Sequence, residues 1–456
     1  TGCGDCAAAC PIERPDDFNG RLSQRKAIYK LYQQAIPNAY AIEKLGSAPC
    51  QEAGPIHQRA QGYLALVAEG RFADAYRTIL EENPFPSICG RVCNHVCEQA
   101  CNRSQIDAPV NIMAVKRFVA DWAWEHPDLL SNQPPATQEA QGALTGKRVA
   151  IIGSGPAGLT CAQDLVRQGC QVTVYEALAV AGGMMRVGVP VYRLPPEVVQ
   201  REIDAILEQG VELKLNTRVK EVEALLQTYD AVFVAIGAHA GVRLPIPGND
   251  LPQVLLATDF LRQVNLAFAN HSPERAELDS LRAEIEGKRV LVLGGGNVAI
   301  DAAMTARRLG AAWVGMTCLE GREQMPAHEW EIQQALEEGI QIFPGQTFKE
   351  IVSQDGQVSG VRTVNVNFRG FIDGRPDFDE YPETETILPA DVVIFAVGQR
   401  PESDCLQQVQ RLRGGRVVVD AETQATNVVG IFAGGDVVTG AGAIVDAIAA
   451  GHRAAQ

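Results

Sequence analysis

Two glycine-rich turns, each placed between an apolar strand and a helix, constrain the fold of this chain more than any other feature. The first follows residues 149–152 and contains Gly153, Gly155 and Gly158, and the second strand of its unit ends at Glu176. The glycines permit a tight turn and let a pyrophosphate approach a helix N-terminus, while the acid can accept hydrogen bonds from ribose hydroxyls. Because strand, glycines, helix and acid occur in this order, the stretch predicts a dinucleotide-binding unit.

The same pattern occurs again in the second half of the chain. Gly294, Gly296 and Ala299 form G-x-G-x-x-A after a strand, a helix is predicted over residues 298–309, and Glu320 follows the second strand. Two such units predict two dinucleotides, one FAD and one nicotinamide nucleotide, with hydride passing from the nicotinamide to the flavin. Hydride transfer needs no acid–base side chain, so no catalytic residue is assigned.

Three further stretches agree with this arrangement. "YDAVFVAIGA" and "ADVVIFAVGQRP" each run a buried strand into a glycine, Gly237 and Gly398, as where the chain crosses between nucleotide domains. The alternative is that both are plain core strands. Near the end, "GIFAGGDVVTG" predicts that Gly435 and Asp436 meet the ribityl chain or phosphates of FAD; the alternative is an aspartate that caps a helix.

Eight of the 12 cysteines lie in the first 101 residues. Cys3, Cys6 and Cys10, followed by Pro11, match the ferredoxin run C-x2-C-x2-C-x3-C-P without its first cysteine. The chain is therefore expected to begin inside a motif, with Cys3 and Cys6 on one [4Fe–4S] cluster and Cys10 on a neighbouring one. Zinc is the alternative metal, but the Cys-Pro ending favours iron–sulfur.

A second cysteine group has a regular spacing: Cys89, Cys93, Cys97 and Cys101 are each four residues apart. Gly90 and two preceding prolines predict a turn-rich wrap around a cofactor rather than one helix. Thiolates suit an iron–sulfur cluster or zinc, and spacing alone leaves both open. Upstream of this group, residues 63–79 have helical periodicity, with a break expected at Gly70.

Composition excludes several classes of protein. The chain is 46% hydrophobic and carries a formal net charge of −15, which argues against a nucleic-acid partner and against disorder. The most apolar stretch, residues 428–451, contains Asp436 and Asp446 and several glycines, so it is interpreted as buried strand and helix rather than a membrane span. The expected location is the cytoplasm.

From Cys50 to Gln456 the chain resembles the glutamate synthase small subunit family, which includes the N-terminal part of dihydropyrimidine dehydrogenase and subunits of electron-bifurcating transhydrogenases. The stretches that carry the resemblance are "PCQEAGPIH", "NPFPSICGRVCNHVCEQACNR", "GSGPAGL", "AGGMMRVGVPVYRLPPEV", "GGGNVAIDAAMTARRLGA", "REQMPA" and "AGGDVVTG". The first 40 residues are instead similar to the ferredoxin-bearing part of heterodisulfide reductase A-like proteins.

The resemblance implies an α/β protein with two Rossmann-like domains, the NAD(P) domain being inserted into the FAD domain, preceded by a helical Fe–S domain and a ferredoxin-like segment. The implied order is a truncated ferredoxin-like segment (1–40), helical Fe–S domain (41–125), linker (126–147), first FAD part (148–250), NAD(H) domain (251–390) and second FAD part (391–456). With the motifs, it predicts cofactor contacts at Gly153, Gly155, Pro156, Ala157, Gly158, Glu176, Gly183, Met184, Arg186, Gly237, Gly294, Gly296, Asn297, Val298, Ala299, Glu320, Arg322, Gly398, Gly435 and Asp436. The predicted metal ligands are Cys3, Cys6, Cys10, Cys50, Cys89, Cys93, Cys97 and Cys101.

The sequence also departs from the family. Gly54 stands where the family has the second cysteine of Cys-x3-Cys-Pro, and Lys116 stands where dihydropyrimidine dehydrogenase has a glutamine ligand, so one cluster is expected in the helical domain and a second is in doubt. NADPH-using members place two arginines after the second strand of the nicotinamide domain, where this chain has Leu319 and Glu320. A carboxylate there accepts from a ribose 2′-hydroxyl and repels a 2′-phosphate, which predicts NAD(H) over NADP(H), although Arg322 lies close enough in sequence to reach a phosphate.

The expected function is that of an electron-transfer flavoprotein subunit, which moves electrons between NAD(H), FAD and [4Fe–4S] clusters. The expected partner is a ferredoxin-like, hydrogenase, dehydrogenase or heterodisulfide reductase-like subunit. Electron bifurcation at the flavin is among the possibilities. One alternative is an NADPH-dependent electron-input subunit of the glutamate synthase type. Another is a disulfide reductase like thioredoxin reductase, but the nucleotide domains contain no Cys-x-x-Cys pair. A non-catalytic scaffold is disfavoured by the two intact dinucleotide motifs.

Overall fold

The computed structural model describes residues 3–10, 13–30, 40–42, 47–130, 144–268, 275–372 and 375–456. Its first residues form a short helix and two separate two-stranded antiparallel sheets, β1 with β2 and β3 with β4. The bounds are α1 Asp5–Ala9, β1 Glu13–Pro15, β2 Gln24–Lys26, β3 Ile28–Lys30 and β4 Tyr40–Ile42. Cys3 and Cys6 are exposed and Cys10 is buried.

Helices alone follow, as the periodicity predicts. Gly70, at φ 74°, separates the third helix from the fourth, which confirms the predicted break. The cysteine segment divides between two short helices and a 3-10 turn, which confirms the predicted turn-rich wrap. Residues 131–143 of the predicted linker lie outside the described residues. The bounds are α2 Pro49–Glu52, α3 Ala60–Ala68, α4 Phe72–Leu80, α5 Pro86–Val92, α6 Val96–Gln99, α7 Ile112–Glu125 and α8 Pro127–Leu130.

The first glycine-rich turn opens a five-stranded parallel sheet with the order β19-β8-β5-β6-β7. Its central strands are buried on both faces because helices cover them, which explains their continuous apolar sequence. The bounds are β5 Arg148–Ile152, α9 Pro156–Arg167, β6 Gln171–Tyr175, α10 Met184–Val187, α11 Pro196–Leu207, β7 Glu212–Lys214, β8 Ala231–Val234, β19 Ile431–Ala433, α16 Asp436–Thr439 and α17 Ile444–Ala455.

The second glycine-rich turn opens another five-stranded parallel sheet, ordered β10-β17-β11-β12-β13. In both sheets the strand that carries the glycines is central. A three-stranded antiparallel sheet, β14-β15-β16, is attached to this domain. The bounds are β10 Val254–Leu256, α12 Ala257–Phe268, α13 Arg275–Ile285, β11 Arg289–Leu293, α14 Asn297–Arg308, β12 Trp313–Thr317, α15 Glu329–Glu337, β13 Gln341–Phe343, β14 Gln346–Gln354, β15 Gln357–Ile372, β16 Arg375–Pro389 and β17 Val392–Phe395.

The chain crosses between the two sheets twice, at neighbouring places. β9 (Ala240–Gly241) leaves the first domain and pairs antiparallel with β18 (Gln399–Arg400), which returns from the second. The second domain is thus an insertion in the first, and the predicted α/β fold of two Rossmann-like domains is confirmed. Strand β17 belongs to the inserted sheet, and the boundary predicted between residues 390 and 391 falls just before it. Among the described helices, none is long and apolar enough to cross a bilayer.

Candidate functional site

In the first glycine-rich turn, two glycines are required by the chain's own packing and one is not. Gly153 has φ 105°, and a Cβ added there would lie 2.4 Å from the carbonyl oxygen of Ala235; one added at Gly158 would lie 2.1 Å from the carbonyl oxygen of Gly153. A Cβ added at Gly155 would meet no protein atom within 4 Å. The space over Gly155, at the N-terminus of the 12-residue helix α9, is therefore open to a ligand, and an anion such as a pyrophosphate is favoured there.

Glu176 lies at the end of β6, beside this turn. One of its carboxylate oxygens accepts from the backbone N–H of Ser154 at 3.0 Å and from the Ser154 hydroxyl at 2.5 Å, and the other accepts from the N–H of Leu178 at 2.8 Å. These bonds hold a buried carboxylate at the end of the strand. In dinucleotide-binding folds, an acid at this position accepts hydrogen bonds from the adenosine ribose. The turn and the acid together fit FAD.

The second turn repeats this geometry. Gly294, at φ 145°, approaches Ala396 so closely that an added Cβ would lie 2.3 Å from its carbonyl oxygen, whereas the nearest atom to a Cβ at Gly296 would be 3.9 Å away. A Cβ at Gly295 would lie 3.3 Å from Oε2 of Glu320, so this carboxylate overhangs the turn. The second site therefore has an open glycine and an acid, like the first.

Arg322, the other residue considered for nucleotide choice, has a partner within its own domain. Its guanidinium donates to both carboxylate oxygens of Glu329, at 2.6 and 3.0 Å. Glu320 and Leu319 face the cavity described below, while the charge of Arg322 is compensated by a neighbouring acid on α15.

Both turns open into one continuous cavity of about 1390 Å³. Cys93 and Asn94 of the cysteine segment also line this cavity. The residues predicted from the sequence that line it are Gly153, Gly155, Pro156, Ala157, Glu176, Gly183, Met184, Gly237, Gly294, Gly296, Asn297, Val298, Glu320, Gly398, Gly435 and Asp436.

Three predicted residues serve the protein's own packing in this structure. Gly158 and Ala299 lie in the first turns of helices α9 and α14 and are buried. The guanidinium of Arg186 is buried and donates to the carbonyl oxygen of Pro196 at 3.1 Å and to Oε1 of Gln200 at 2.5 Å, so it anchors α10 to α11.

The C-terminal stretch lines the cavity beside the first glycine-rich turn. Gly435 adopts φ 75°, and burial raises the pKa of Asp436 to about 6. Helix α17 packs tightly on α9, since a Cβ at Gly451 would lie 2.5 Å from the carbonyl oxygen of Ala157. The helix that opens at the pyrophosphate position is thereby fixed by the last helix of the chain.

The cysteines of the helical domain divide into two kinds. Cys50, Cys93 and Cys97 line a small cavity of about 30 Å³. Burial raises the pKa of the Cys50 thiol, and Cys101 adds to that rise more weakly. Cys89 is different: it is fully buried in the core shared with the first nucleotide domain, with its Sγ 3.8 Å from Oδ1 of Asn83.

Among the described residues, no three His, Cys, Asp or Glu side chains are arranged to hold a metal ion. A single zinc ion requires ligands that converge on one point, whereas a cubane cluster presents an iron at each of four corners and takes thiolates spread around it. Cys50, Cys93 and Cys97 surround one cavity with soft sulfur donors, which suit an iron–sulfur cluster or zinc. Cys3, Cys6 and Cys10 lie apart from this group, in the N-terminal segment.

Polar contacts that the sequence patterns did not indicate join the domains. Arg193 of the first nucleotide domain donates to Oδ1 of Asp301 at 2.7 Å and to Glu331 in the second. Burial raises the pKa of Asp301 to about 7, and Arg193 opposes that shift. Buried Glu202 accepts from the backbone N–H groups of Ser87 and Ile88, at 2.5 and 3.1 Å, and so ties α11 to the cysteine segment. Hydrophobic periodicity does not predict contacts between such charged residues.

An aromatic stack also crosses from the cysteine segment to the nicotinamide domain. The ring of Trp330 contacts both His95, at a centroid distance of 4.4 Å, and His328, at 4.2 Å. The backbone N–H of His328 donates to Oδ1 of Asn297 in the second glycine-rich turn at 3.0 Å. The loop that carries Cys93 is thus packed against the nicotinamide site.

Two family models match the chain. One, described as pyridine nucleotide-disulphide oxidoreductase, matches residues 147–451, and one described as dihydropyrimidine dehydrogenase domain II, 4Fe-4S cluster, matches residues 22–127. Solved structures similar to the chain include FprA of Mycobacterium tuberculosis (19% identity, 68% of this chain, 84% of that chain, TM-score 0.58) and thioredoxin reductase of T. acidophilum (20% identity, 68% and 97%, TM-score 0.51). At these identities the likeness shows the fold of the nucleotide domains alone.

Curated relatives are similar over most of the chain. The NADP(+)-dependent formate dehydrogenase subunit beta of Moorella thermoacetica is 38% identical, over 90% of this chain and 59% of its own length. The NADPH-Fe(3+) oxidoreductase subunit beta of Geobacter sulfurreducens is 34% identical, over 90% and 63%. The chain thus spans about three fifths of these two relatives, whereas it covers 96% of the glutamate synthase [NADPH] small chain of Escherichia coli, which is 34% identical over 98% of this chain.

The two family models and the glutamate synthase relative confirm the resemblance drawn from the motifs. They also bear out an FAD- and NAD(P)-binding oxidoreductase with a 4Fe–4S domain as the class of protein. The chain therefore belongs to the pyridine nucleotide-disulphide oxidoreductase family and is homologous to the glutamate synthase small subunit.

Proposed function

We propose that this chain oxidises NADH, or reduces NAD, through FAD, and exchanges the electrons with a partner subunit through [4Fe–4S] clusters. The observation that carries this proposal is the shared cavity, because both glycine-rich turns and Cys93 line one continuous space. When bound, FAD supplies the conversion between hydride transfer and single-electron transfer. The relatives are named subunit beta or small chain, which supports an electron path that continues into a partner subunit.

The proposed ligands of the cluster in the helical domain are Cys50, Cys93, Cys97 and Cys101. Three of these thiols line the small cavity, which supports this set, and Cys101 is proposed as the fourth ligand because it follows Cys93 and Cys97 in the predicted cysteine group. Cys89 is proposed to be a core residue, since its side chain packs with the first nucleotide domain. The roles of Cys3, Cys6 and Cys10 stay as predicted, as ligands of clusters in the N-terminal segment.

NADH is proposed as the nucleotide because the carboxylate of Glu320 overhangs the second turn while Arg322 is paired with Glu329. The names of the relatives point the other way, since they specify NADP(+) or NADPH. A fixed carboxylate beside the ribose supports the 2′-hydroxyl over the 2′-phosphate. Substitution of Leu319 and Glu320 by arginines distinguishes a preference for NADH from a preference for NADPH.

Metal analysis tests the cluster part of the proposal. Protein purified without oxygen is expected to contain iron and acid-labile sulfide, because three thiols surround one cavity in the part of the chain that matches a 4Fe-4S domain model. Inductively coupled plasma analysis and a sulfide assay measure both. Stoichiometric zinc without sulfide would contradict the proposal.

Two cysteine substitutions test the division between cluster and flavin. Cys97→Ala is expected to lose the electron paramagnetic resonance signal of the helical-domain cluster but to keep NADH-driven bleaching of the flavin, since hydride transfer needs the two nucleotide sites alone. Cys89→Ala is the matched control and is expected to keep both signals, because its thiol faces the core. Loss of the cluster signal in Cys89→Ala would show that the ligand set is wrong, and loss of flavin bleaching in Cys97→Ala would contradict the independence of the two sites.

A further inference from the structure

Four polar side chains besides the cysteines line the small cavity among the thiols, namely Gln58, Tyr63, His95 and Lys116. Besides Cys50, Cys93 and Cys97, its lining includes Tyr63 of α3 and Lys116 of α7. Both helices belong to the core of the helical domain, so these side chains are held in place by packing.

Tyr63 is a buried donor without an acceptor. Its side chain is 0% exposed, and its hydroxyl has no hydrogen-bond partner among the residues that the structure describes. A buried hydroxyl is normally hydrogen-bonded, since leaving it unpaired forfeits its solvation. Tyr63 lines the same small cavity as Cys50, Cys93 and Cys97, so its unpaired hydroxyl and these thiols share one buried space.

Lys116 is a buried cation that faces sulfur. It is 6% exposed, and within the described ranges no carboxylate lies within ion-pair distance of its ammonium. Buried lysines are normally paired with an acid or with another anion. Lys116 lines the small cavity together with Cys97, and a positive charge beside a thiol favours its thiolate form.

We propose that the Tyr63 hydroxyl and the Lys116 ammonium donate to, and partly neutralise, the iron–sulfur cluster held by the surrounding thiols, and that they raise its reduction potential. This inference rests on the proposed function, because it takes the cavity to be the cluster site. A thiolate-bound cluster becomes more negative when it gains an electron, so a donor or a positive charge beside its sulfurs stabilises the reduced form more than the oxidised form. The two residues act on the reduction potential of the cluster without ligating its iron.

The test is a redox titration of the anaerobically purified, FAD- and iron-loaded protein, followed by the resonance signal of the reduced cluster. Tyr63→Phe removes the hydroxyl alone and is expected to lower the ratio of reduced to oxidised cluster at a fixed potential by at least about threefold. Lys116→Met removes a full charge and is expected to lower it by about tenfold, which for one electron is about 59 mV. Iron and sulfide contents are expected to match the wild type, because all thiols remain.

Two controls keep the test decisive. Tyr76→Phe removes a hydroxyl from α4 that faces Glu202 and Arg201 rather than the thiol cavity, and is expected to leave the potential unchanged. Lys116→Arg keeps the positive charge and is expected to restore most of the potential if Lys116→Met loses iron. Potentials in Tyr63→Phe and Lys116→Met equal to the wild type, with iron intact, would overturn this inference and leave the proposed function standing. Absence of iron from the wild type would instead overturn the proposed function.

Discussion

Gly155→Val is expected to produce folded protein without FAD, and Gly296→Val to produce protein that keeps FAD but is no longer reduced by NADH. Both glycines have negative φ and extended ψ, so valine fits their backbone without strain. A Cβ added at either position would have no protein atom closer than 3.9 Å. The new side chain projects into the cavity instead, where the pyrophosphate is expected to approach.

The effect should be large because a displaced pyrophosphate loses charge-assisted hydrogen bonds, each worth about 1.5 to 3 kcal/mol. Loss of two such bonds weakens binding by about 10² to 10⁴, since about 1.4 kcal/mol is tenfold. Flavin absorbance of the purified variants measures FAD retention, and stopped-flow bleaching by NADH measures access of the nicotinamide. Dithionite is expected to bleach Gly296→Val normally.

Each variant is the control for the other, since both carry the same substitution at equivalent positions. Circular dichroism should show that the two keep the wild-type fold. Stoichiometric FAD in Gly155→Val, or NADH bleaching at the wild-type rate in Gly296→Val, would refute the assignment of FAD to the first turn and of the nicotinamide nucleotide to the second.

Replacement of Leu319 and Glu320 by arginines is expected to lower the preference for NADH over NADPH by an order of magnitude or more. The substitution removes a carboxylate that overhangs the second turn and adds donors for a 2′-phosphate. One well-placed charge-assisted bond, worth about 1.5 to 3 kcal/mol, accounts for a change of about tenfold or more in the ratio of the two affinities. Rates of flavin reduction at several concentrations of each nucleotide give that ratio.

Arg322→Gln is the control for this experiment. The guanidinium of Arg322 is occupied by Glu329, so its loss is expected to leave nucleotide preference unchanged. A wild type that already prefers NADPH, together with loss of that preference in Arg322→Gln, would mean that Arg322 breaks its ion pair to bind a phosphate and that the NADH proposal is wrong.

The parts of the fold that could be predicted from the sequence are those in which local chemistry dictates local structure. Glycines that must adopt φ values near 105° or 145° stand at the start of each nucleotide unit, and the buried parallel strands are continuous in apolar sequence, so both Rossmann-like domains could be identified. The break at Gly70 and the turns between the cysteines follow from the same residue types.

Contacts between distant parts of the chain could not be predicted from the local sequence. A spacing of four groups Cys89 with Cys93 and Cys97, but it does not report that tertiary packing buries Cys89 in the core shared with the first nucleotide domain. Arg186 belongs to a motif beside the flavin, yet its guanidinium bonds to α11. Arg193 and Glu202 act across domain boundaries, and neither periodicity nor motif spacing reports a partner more than 100 residues away.

The antiparallel pair formed by β9 and β18 places the entry and exit of the inserted domain side by side. An insertion whose two ends meet can be removed or exchanged without stretching its host, as long as the short ladder between them is kept. The inserted domain can in that sense be exchanged as a unit. Replacing the residues between the two strands with those of a relative is therefore expected to change the nucleotide site as a unit, provided that the contacts of Arg193 with Asp301 and Glu331 are kept.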